Sequence, residues 1–189
     1  NPRAFKTAIY YGDGAKYLDF GAHSTYYQAA KEGRLVDGKF VPLSELYPKF
    51  REEELSRCIR IPVDGDPDPA LDEILTLLAA NPHIYLDTGH VSAEEAMRLV
   101  ELKSKYGYKN IVVSSSVAKV STMDQLKEMA GKGAFIEFTF GAYTAANMIP
   151  LTHYYVEKEY TSIDEGLSGG PEGGISAVAH AIRELGTKH

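Results

Sequence analysis

Three consecutive strand and helix units in the middle of the chain constrain the fold more than any other feature. A strand is predicted at 83–88, and Ser92-Ala93-Glu94-Glu95 has the pattern of a capping box that begins a helix. The β-branched run at 111–113 leads to a helix that begins near residue 121, and a third strand follows at 134–140. Strands that alternate with helices in this way pair in parallel through helical crossovers. The sequence therefore predicts an α/β fold with a parallel sheet.

The N-terminal part extends the same pattern. Asn1-Pro2 begins an apolar helix, and further strands are predicted at 15–22 and 56–63. Residues 24–57 are weakly periodic and rich in tyrosine, so we predict an excursion from the main sheet, with a small hairpin around Asp37-Gly38.

The C-terminal part is richer in glycine. A helix is predicted at 142–155, and the glycine-rich residues 166–174 are predicted to form a loop that closes over a ligand. The apolar stripe at 175–185 predicts a last helix that ends at Gly186. Residues 187–189 resemble interior junctions that lead into a strand, so we expect the chain to be part of a longer polypeptide.

Composition excludes several classes of protein. The 20 Lys and Arg residues against 26 Asp and Glu give a net charge of −6, so we expect no nucleic acid partner. A single cysteine excludes an internal disulfide and favours a reducing compartment, which predicts a cytoplasmic protein. No segment approaches the roughly 18 apolar residues of a membrane span, so no membrane partner is expected.

Polar residues stand at the ends of the predicted strands, where parallel α/β folds bind their ligands. His23 and His90 each follow a strand, Ser114-Ser115-Ser116 follow the strand at 111–113, and Glu137 lies within an apolar strand. An imidazole at such a position can ligate a metal, and a carboxylate among apolar residues needs a cation or metal as its partner. These residues are the candidate site.

Each candidate also has a structural explanation. His90 can hydrogen-bond the turn at Ser92, Glu137 can face a helix lysine, and serines that precede helices are most often caps. No dinucleotide fingerprint, Walker loop or nucleophile elbow occurs, which disfavours nucleotide enzymes and serine hydrolases.

The segment from Asp87 to Ala96, Asp-Thr-Gly-His-Val-Ser-Ala-Glu-Glu-Ala, resembles the uncharacterised amidohydrolase-like barrels of the metal-dependent hydrolase superfamily. In those proteins a Thr-Gly-His-(Leu/Val)-Ser-x-Glu-Glu-Ala segment precedes a helix and a Val-Val-(Thr/Ser)-His strand. The segments at 1–4, 14–16 and 181–186 are similar to other units of the same barrels. The resemblance implies one domain over residues 1–189, a distorted or incomplete (β/α)₈ TIM-type barrel with parallel strands.

The same resemblance implies a metal-dependent hydrolase that cleaves a C–N or ester bond of a small polar substrate through metal-activated water. His90 and His23 are then the expected ligands of a divalent metal, Zn or Mn. Glu137 serves as a ligand or general base, and Ser115 stands where the family has a strand-end histidine, so both are expected to be catalytic. The His-x-His strand and the last-strand Asp of the family have no counterpart in the sequence.

Two other functions stay open. A non-catalytic barrel that serves as a structural or assembly subunit is favoured by tyrosine pairs such as Tyr10-Tyr11, Tyr26-Tyr27 and Tyr154-Tyr155, because tyrosine is common at protein interfaces, and a homo-oligomer is expected. A metal-independent lyase or aldolase is disfavoured, since no lysine lies in the middle of a predicted strand.

Overall fold

The computed structural model of the chain describes residues 2–11, 14–21, 23–139, 155–156 and 171–186. These residues form a mixed α/β structure with a four-stranded parallel sheet and a smaller three-stranded antiparallel sheet. The elements, in chain order, are α1 (Pro2–Tyr10), β1 (Tyr17–Asp19), α2 (Tyr26–Ala30), β2 (Glu32–Val36), β3 (Lys39–Pro42), α3 (Leu43–Leu46), α4 (Pro48–Ser56), α5 (Pro69–Ala80), β4 (Tyr85–Asp87), α6 (Ala93–Tyr106), β5 (Asn110–Val113), α7 (Ser115–Val120), α8 (Met123–Gly131), β6 (Phe135–Ile136), β7 (Tyr155–Val156) and α9 (Pro171–Leu185).

The main sheet has the strand order β1-β4-β5-β6, and every neighbouring pair is parallel. The prediction of a parallel α/β sheet is therefore confirmed. Helices α5, α6 and α8 lie between successive strands of this sheet, and the capping box predicted at Ser92 begins α6. The sheet of the described residues is open, with β1 and β6 at its edges, so these residues do not form a closed barrel.

The hydrophobic core lies on one face of this sheet. Leu18, Leu86 and Ile111 alternate with residues of the opposite face and are buried against helical side chains such as Leu75 and Leu99. On the opposite face no described element covers Tyr17, Tyr85 and Phe135, which are 50%, 37% and 40% exposed, whereas Asp87 and Val112 of the same face are buried.

The predicted excursion contains α2, the β2–β3 hairpin, α3 and α4. Asp37 and Gly38 form the predicted turn, with positive φ angles of 50° and 77°, the backbone that a two-residue hairpin needs. Strand β2 also pairs with β7, which completes the smaller sheet.

Two predicted elements differ from the structure. The strand expected at 56–63 is wrong, because α4 continues to Ser56 and only Ile59 forms an isolated bridge, with Thr25. Pro62 has no N–H to donate to a sheet. Helix α9 begins at Pro171, so the last four residues of the loop predicted at 166–174 are helical. The rest of that loop, and residues 142–154 of the predicted helix at 142–155, lie outside the described residues.

None of the helices in the described ranges is long and apolar enough to cross a membrane.

Candidate functional site

A cavity of about 270 Å³ lies at the carboxyl ends of the parallel strands. It is lined by residues of β1 and β4 and by residues that follow β4, β5 and β6, as expected for a ligand site in a parallel α/β fold. Its lining residues are Tyr17, Asp19, Asp87, Gly89, His90, Ser114, Ser115, Ser116, Glu137 and Thr139.

Two strands deliver the same tripeptide to the cavity. Tyr17-Leu18-Asp19 of β1 and Tyr85-Leu86-Asp87 of β4 are paired in register, residue by residue. Each aspartate accepts a hydrogen bond at 2.6 Å from the N–H of the glycine two residues later, Gly21 or Gly89. Both glycines have positive φ, which bends the chain away from the strand end and leaves each carboxylate at the cavity. The repeated Tyr-Leu-Asp-x-Gly pattern is the sequence signal that identifies Asp19 and Asp87, neither of which is among the predicted site residues.

Gly89 is required by space as well as by conformation. A Cβ atom on it would lie 2.8 Å from the carbonyl oxygen of Gly21 and 2.9 Å from Oδ1 of Asp19. The loops after β1 and β4 therefore touch only because this residue has no side chain.

Asp87 is the most deeply buried carboxylate of the cavity, at 5% exposure. Burial raises its pKa, and the nearby charges of Asp19 and Glu137 add to the shift, although hydrogen bonds from the Tyr17 hydroxyl and the Gly89 N–H oppose it. Burial and Asp87 likewise raise the pKa of the Tyr17 hydroxyl. The carboxyl group of Asp87 consequently binds a proton more readily than an ordinary aspartate.

His90 projects from the loop after β4 and is partly buried. Its Nε2 lies 2.8 Å from the hydroxyl oxygen of Ser116 at the start of α7. Its carbonyl oxygen accepts a hydrogen bond of 2.7 Å from the Thr25 hydroxyl, which fixes the loop. Burial lowers the pKa of the imidazole, and the charge of Asp19 opposes that shift.

The serines after β5 have different roles. Ser114 is the N-cap of α7, since its Oγ accepts the Val117 N–H at 3.3 Å and donates to the Gly89 carbonyl. The Ser115 N–H donates to Oε2 of Glu137 at 3.3 Å. The expected capping role thus belongs to Ser114.

The structure brings His90, Ser115 and Glu137 of the predicted site into one cavity. His23 does not line it: its side chain is 62% exposed, and Nδ1 contacts the buried carboxylate of Glu32. Within the described ranges, no group of three or more His, Cys, Asp or Glu side chains has an arrangement that can hold a metal ion.

A larger groove of about 670 Å³ lies beside α2, but its carboxylates already have structural partners. Glu95 accepts the N–H groups of Ile61 and Ser92, Asp68 caps α5, and Asp66 pairs with Lys105. The smaller cavity is therefore the better candidate site, because acid and base groups converge there.

Residues 1–137 match a family of unknown function, DUF6282. The chain belongs to this family. The part of this DUF6282 chain that matches includes all four parallel strands and every lining residue of the cavity except Thr139. No curated protein and no solved structure shows significant similarity to the chain.

Proposed function

We propose that this protein is a hydrolase that cleaves a C–N or ester bond of a small polar substrate in the strand-end cavity. The observation that carries the proposal is the convergence of His90, Asp87 and Glu137 on one polar cavity of about 270 Å³. A cavity of this size is at the lower end of ligand sites, so it fits a small molecule.

The side chains of the cavity supply the groups that hydrolysis needs. His90 and Glu137 are proton acceptors, and Asp87 with Tyr17 offers a proton or hydrogen bond to an oxygen of the substrate. Hydrolysis requires a base at the attacking oxygen and an acid at the leaving group, and both must lie within hydrogen-bond reach of the substrate.

A divalent metal, Zn or Mn, stays a prediction of the amidohydrolase-like resemblance. The arrangement of donors does not favour it, because His23 contacts Glu32 and Nε2 of His90 contacts Ser116. The described side chains include no preformed three-ligand group, so we derive no catalytic step through a metal.

We also propose that the parallel sheet is part of a (β/α)₈-type barrel. The order β1-β4-β5-β6 follows the chain without reversal, and the core lies on one face only. A doubly wound sheet reverses its strand order and carries helices on both faces, whereas the strands of a barrel follow in sequence with their helices outside. The sheet face with the exposed Tyr17, Tyr85 and Phe135 would then face the interior of the barrel.

The hydrolase proposal is tested with p-nitrophenyl esters and N-acyl amino acids as substrates. We expect His90→Ala and Glu137→Gln each to lower kcat/KM by roughly 100-fold, the effect of losing a general acid or base. His83→Ala is the matched control, because His83 is exposed and outside the cavity, and it should leave kcat/KM unchanged. Absence of hydrolysis by the wild-type protein across both classes would contradict the proposal.

The metal prediction is tested separately, by elemental analysis of protein purified without chelator. Stoichiometric Zn or Mn in the wild type and its loss in His90→Ala would support a metal enzyme. Absence of stoichiometric metal from both proteins would exclude that version while leaving hydrolysis open.

A non-catalytic assembly subunit is the alternative function. It is favoured by Tyr10 and Tyr11, which are 59% and 85% exposed, in addition to the exposed aromatic residues on one face of the main sheet. Light scattering after size exclusion distinguishes the two: a stable homo-oligomer without hydrolytic activity would favour the subunit, and an active monomer would exclude it.

A further inference from the structure

One of the three serines after β5 contacts the imidazole of His90. The Oγ of Ser114 is used by the cap of α7, and Ser115 is buried with its N–H directed to Glu137. Ser116 is only partly buried, lines the cavity, and has its hydroxyl oxygen 2.8 Å from Nε2 of His90. The hydroxyl that a substrate in the cavity can reach is therefore also the one next to a base.

We propose that Ser116 is the nucleophile of this hydrolase and His90 is its general base. The inference rests on the proposed function and specifies its mechanism. A serine hydroxyl is a weak nucleophile until an adjacent base takes its proton, and a separation of 2.6–3.2 Å between the two heavy atoms is the expected geometry.

The reaction balances without a co-reactant other than water. With the His90 proton on Nδ1, the Ser116 hydroxyl donates to Nε2. As Oγ forms a bond to the carbonyl carbon, its proton moves to Nε2, and the resulting tetrahedral adduct carries the negative charge on the carbonyl oxygen. The C–N or C–O bond then breaks, and Nε2 returns the proton to the departing nitrogen or oxygen. Water attacks the acyl group on Ser116 with His90 as base again, which releases the acid and restores the hydroxyl.

Asp19 adds a negative charge at the same end of the sheet as His90. It is the last residue of β1 and lines the same cavity, and the loop that follows it touches the loop of His90, whose N–H lies 3.5 Å from the Gly21 carbonyl. Burial lowers the pKa of the His90 imidazole, and the negative charge of Asp19 partly offsets this shift in favour of the imidazolium that forms when Ser116 gives up its proton.

The local fold also resembles the setting in which serine nucleophiles occur in α/β folds. Ser116 follows a parallel strand after two residues and lies in the first turn of the next helix. The Gly-x-Ser-x-Gly motif does not occur in the sequence, and the helix begins instead at the Ser114 cap. Sequence motifs therefore disfavour a serine hydrolase, while the distance between Ser116 and His90 favours one.

Labelling with a fluorophosphonate tests the nucleophile directly. In this reaction Oγ displaces fluoride from phosphorus and the proton leaves through His90, so peptide mass spectrometry should find the adduct on Ser116. We expect Ser116→Ala to abolish the adduct and His90→Ala to slow its formation by roughly 100-fold. Ser104→Ala is the control, since Ser104 is exposed on α6, and it should label like the wild type. An adduct at another residue, or none, would overturn the inference.

Kinetics separate this inference from the proposed function. If Ser116 and His90 act as one unit, each single variant and the double variant should lower kcat by a similar factor. The double variant should not show the product of the two single effects. If Ser116→Ala hydrolyses substrate at the wild-type rate while His90→Ala does not, the nucleophile is wrong and the hydrolase proposal stands. If no variant or wild-type protein hydrolyses substrate, yet Ser116 is labelled, the hydrolase proposal fails and the activated serine stands.

A cysteine variant provides a second test in case Ser116→Ala does not fold. Ser116→Cys should react with iodoacetamide much faster than the native Cys58, because burial raises the pKa of the Cys58 thiol. The additional change His90→Ala should remove most of that reactivity. Equal reactivity of the two thiols would count against an activated position at residue 116.

Discussion

At the scale of single residues, Asp87 is held in a place that disfavours its charge. The carboxyl group is buried near Asp19 and Glu137, and the hydrogen bonds from Tyr17 and Gly89 compensate only in part, so its pKa is raised. The unfolded chain has no such environment, and its aspartate titrates near the ordinary value of about 3.9. The ionisation of Asp87 therefore opposes folding at neutral pH.

We predict that Asp87→Asn increases the stability of the protein at pH 7. Because the folded pKa lies above the unfolded value, the folded chain binds more protons in the window between about 3.9 and that raised value, and stability falls as pH rises through it. Asparagine cannot ionise but keeps an oxygen that accepts the Gly89 N–H. Urea unfolding at pH 4, 5.5 and 7 should show a gain that grows with pH.

The control for that prediction is Asp64→Asn, an exposed acidic residue in a loop, which should change stability little at each pH. A variant at residue 87 that is less stable than the wild type at pH 7 would contradict the prediction.

The position of the site residues was only partly predictable. His90 and Glu137 were predicted because a strand end is visible in the hydrophobic pattern, and the cavity contains both. Whether Ser115 or Ser116 directs its side chain to the cavity depends on the rotation of α7 about its axis. A helix of six residues is too short for the hydrophobic pattern to determine that rotation. The contact of His23 with Glu32, which places its side chain outside the cavity, could not be predicted either, because Glu32 lies in the excursion and reaches His23 only through the tertiary fold.

At the scale of elements, a buried ion pair joins α4 to the smaller sheet. Arg51 of α4 is 3% exposed, and its Nη2 lies 2.8 Å from Oε2 of Glu32 on β2 and also donates to the Ala29 carbonyl at the end of α2. Burying a charged pair brings little net stability, yet removal of Arg51 leaves the buried carboxylate of Glu32 with only the exposed His23 imidazole as an ionic partner.

We predict that Arg51→Met lowers the free energy of unfolding by about 3–5 kcal/mol. Adding Glu32→Gln should recover much of this loss, because the remaining side chain no longer carries a buried charge. Arg57→Met is the matched control: Arg57 directly follows α4 and pairs with Glu53 on the exposed surface of that helix, and such pairs contribute about 0.5 kcal/mol. Urea unfolding measures all four proteins. A single variant at residue 51 within about 1 kcal/mol of the wild type would contradict the prediction.

Local signals predicted those elements whose ends are marked by side-chain chemistry. The capping box at Ser92 and the Asp37-Gly38 turn are confirmed, since each acts through neighbours in sequence. The strand expected at 56–63 failed because alternation of apolar residues does not supply a partner, and Pro62 cannot donate to one.

At the scale of the whole molecule, the parallel order of the sheet was predictable and its one-sided core was not. The alternation of strands and helices indicates parallel pairing, but which face the helices cover depends on how each crossover returns to the sheet. The residues Tyr17, Tyr85 and Phe135 read as ordinary strand residues in sequence, and only the structure shows that no described element covers them.

The architecture predicts two levels of stability within one chain. Strands β4 and β5 are central in the main sheet and contribute to the hydrophobic core, whereas none of the described side chains of the β2–β3 hairpin belongs to it and Val36 is exposed. We expect the amides of β4 and β5 to exchange with deuterium only through global unfolding, and those of the hairpin through local opening at lower free energy.

Leu99→Ala tests this division. Leu99 is fully buried in α6 against the main sheet, and its truncation should cost about 2–5 kcal/mol of global stability. Exchange at β4 and β5 should accelerate by the corresponding factor, since each 1.4 kcal/mol is tenfold. Exchange in the hairpin should change little, because local opening does not disturb the contacts of Leu99. Hydrogen exchange mass spectrometry measures both regions. If the hairpin and the sheet are equally protected, or are equally accelerated by Leu99→Ala, then the excursion and the main sheet unfold as one unit.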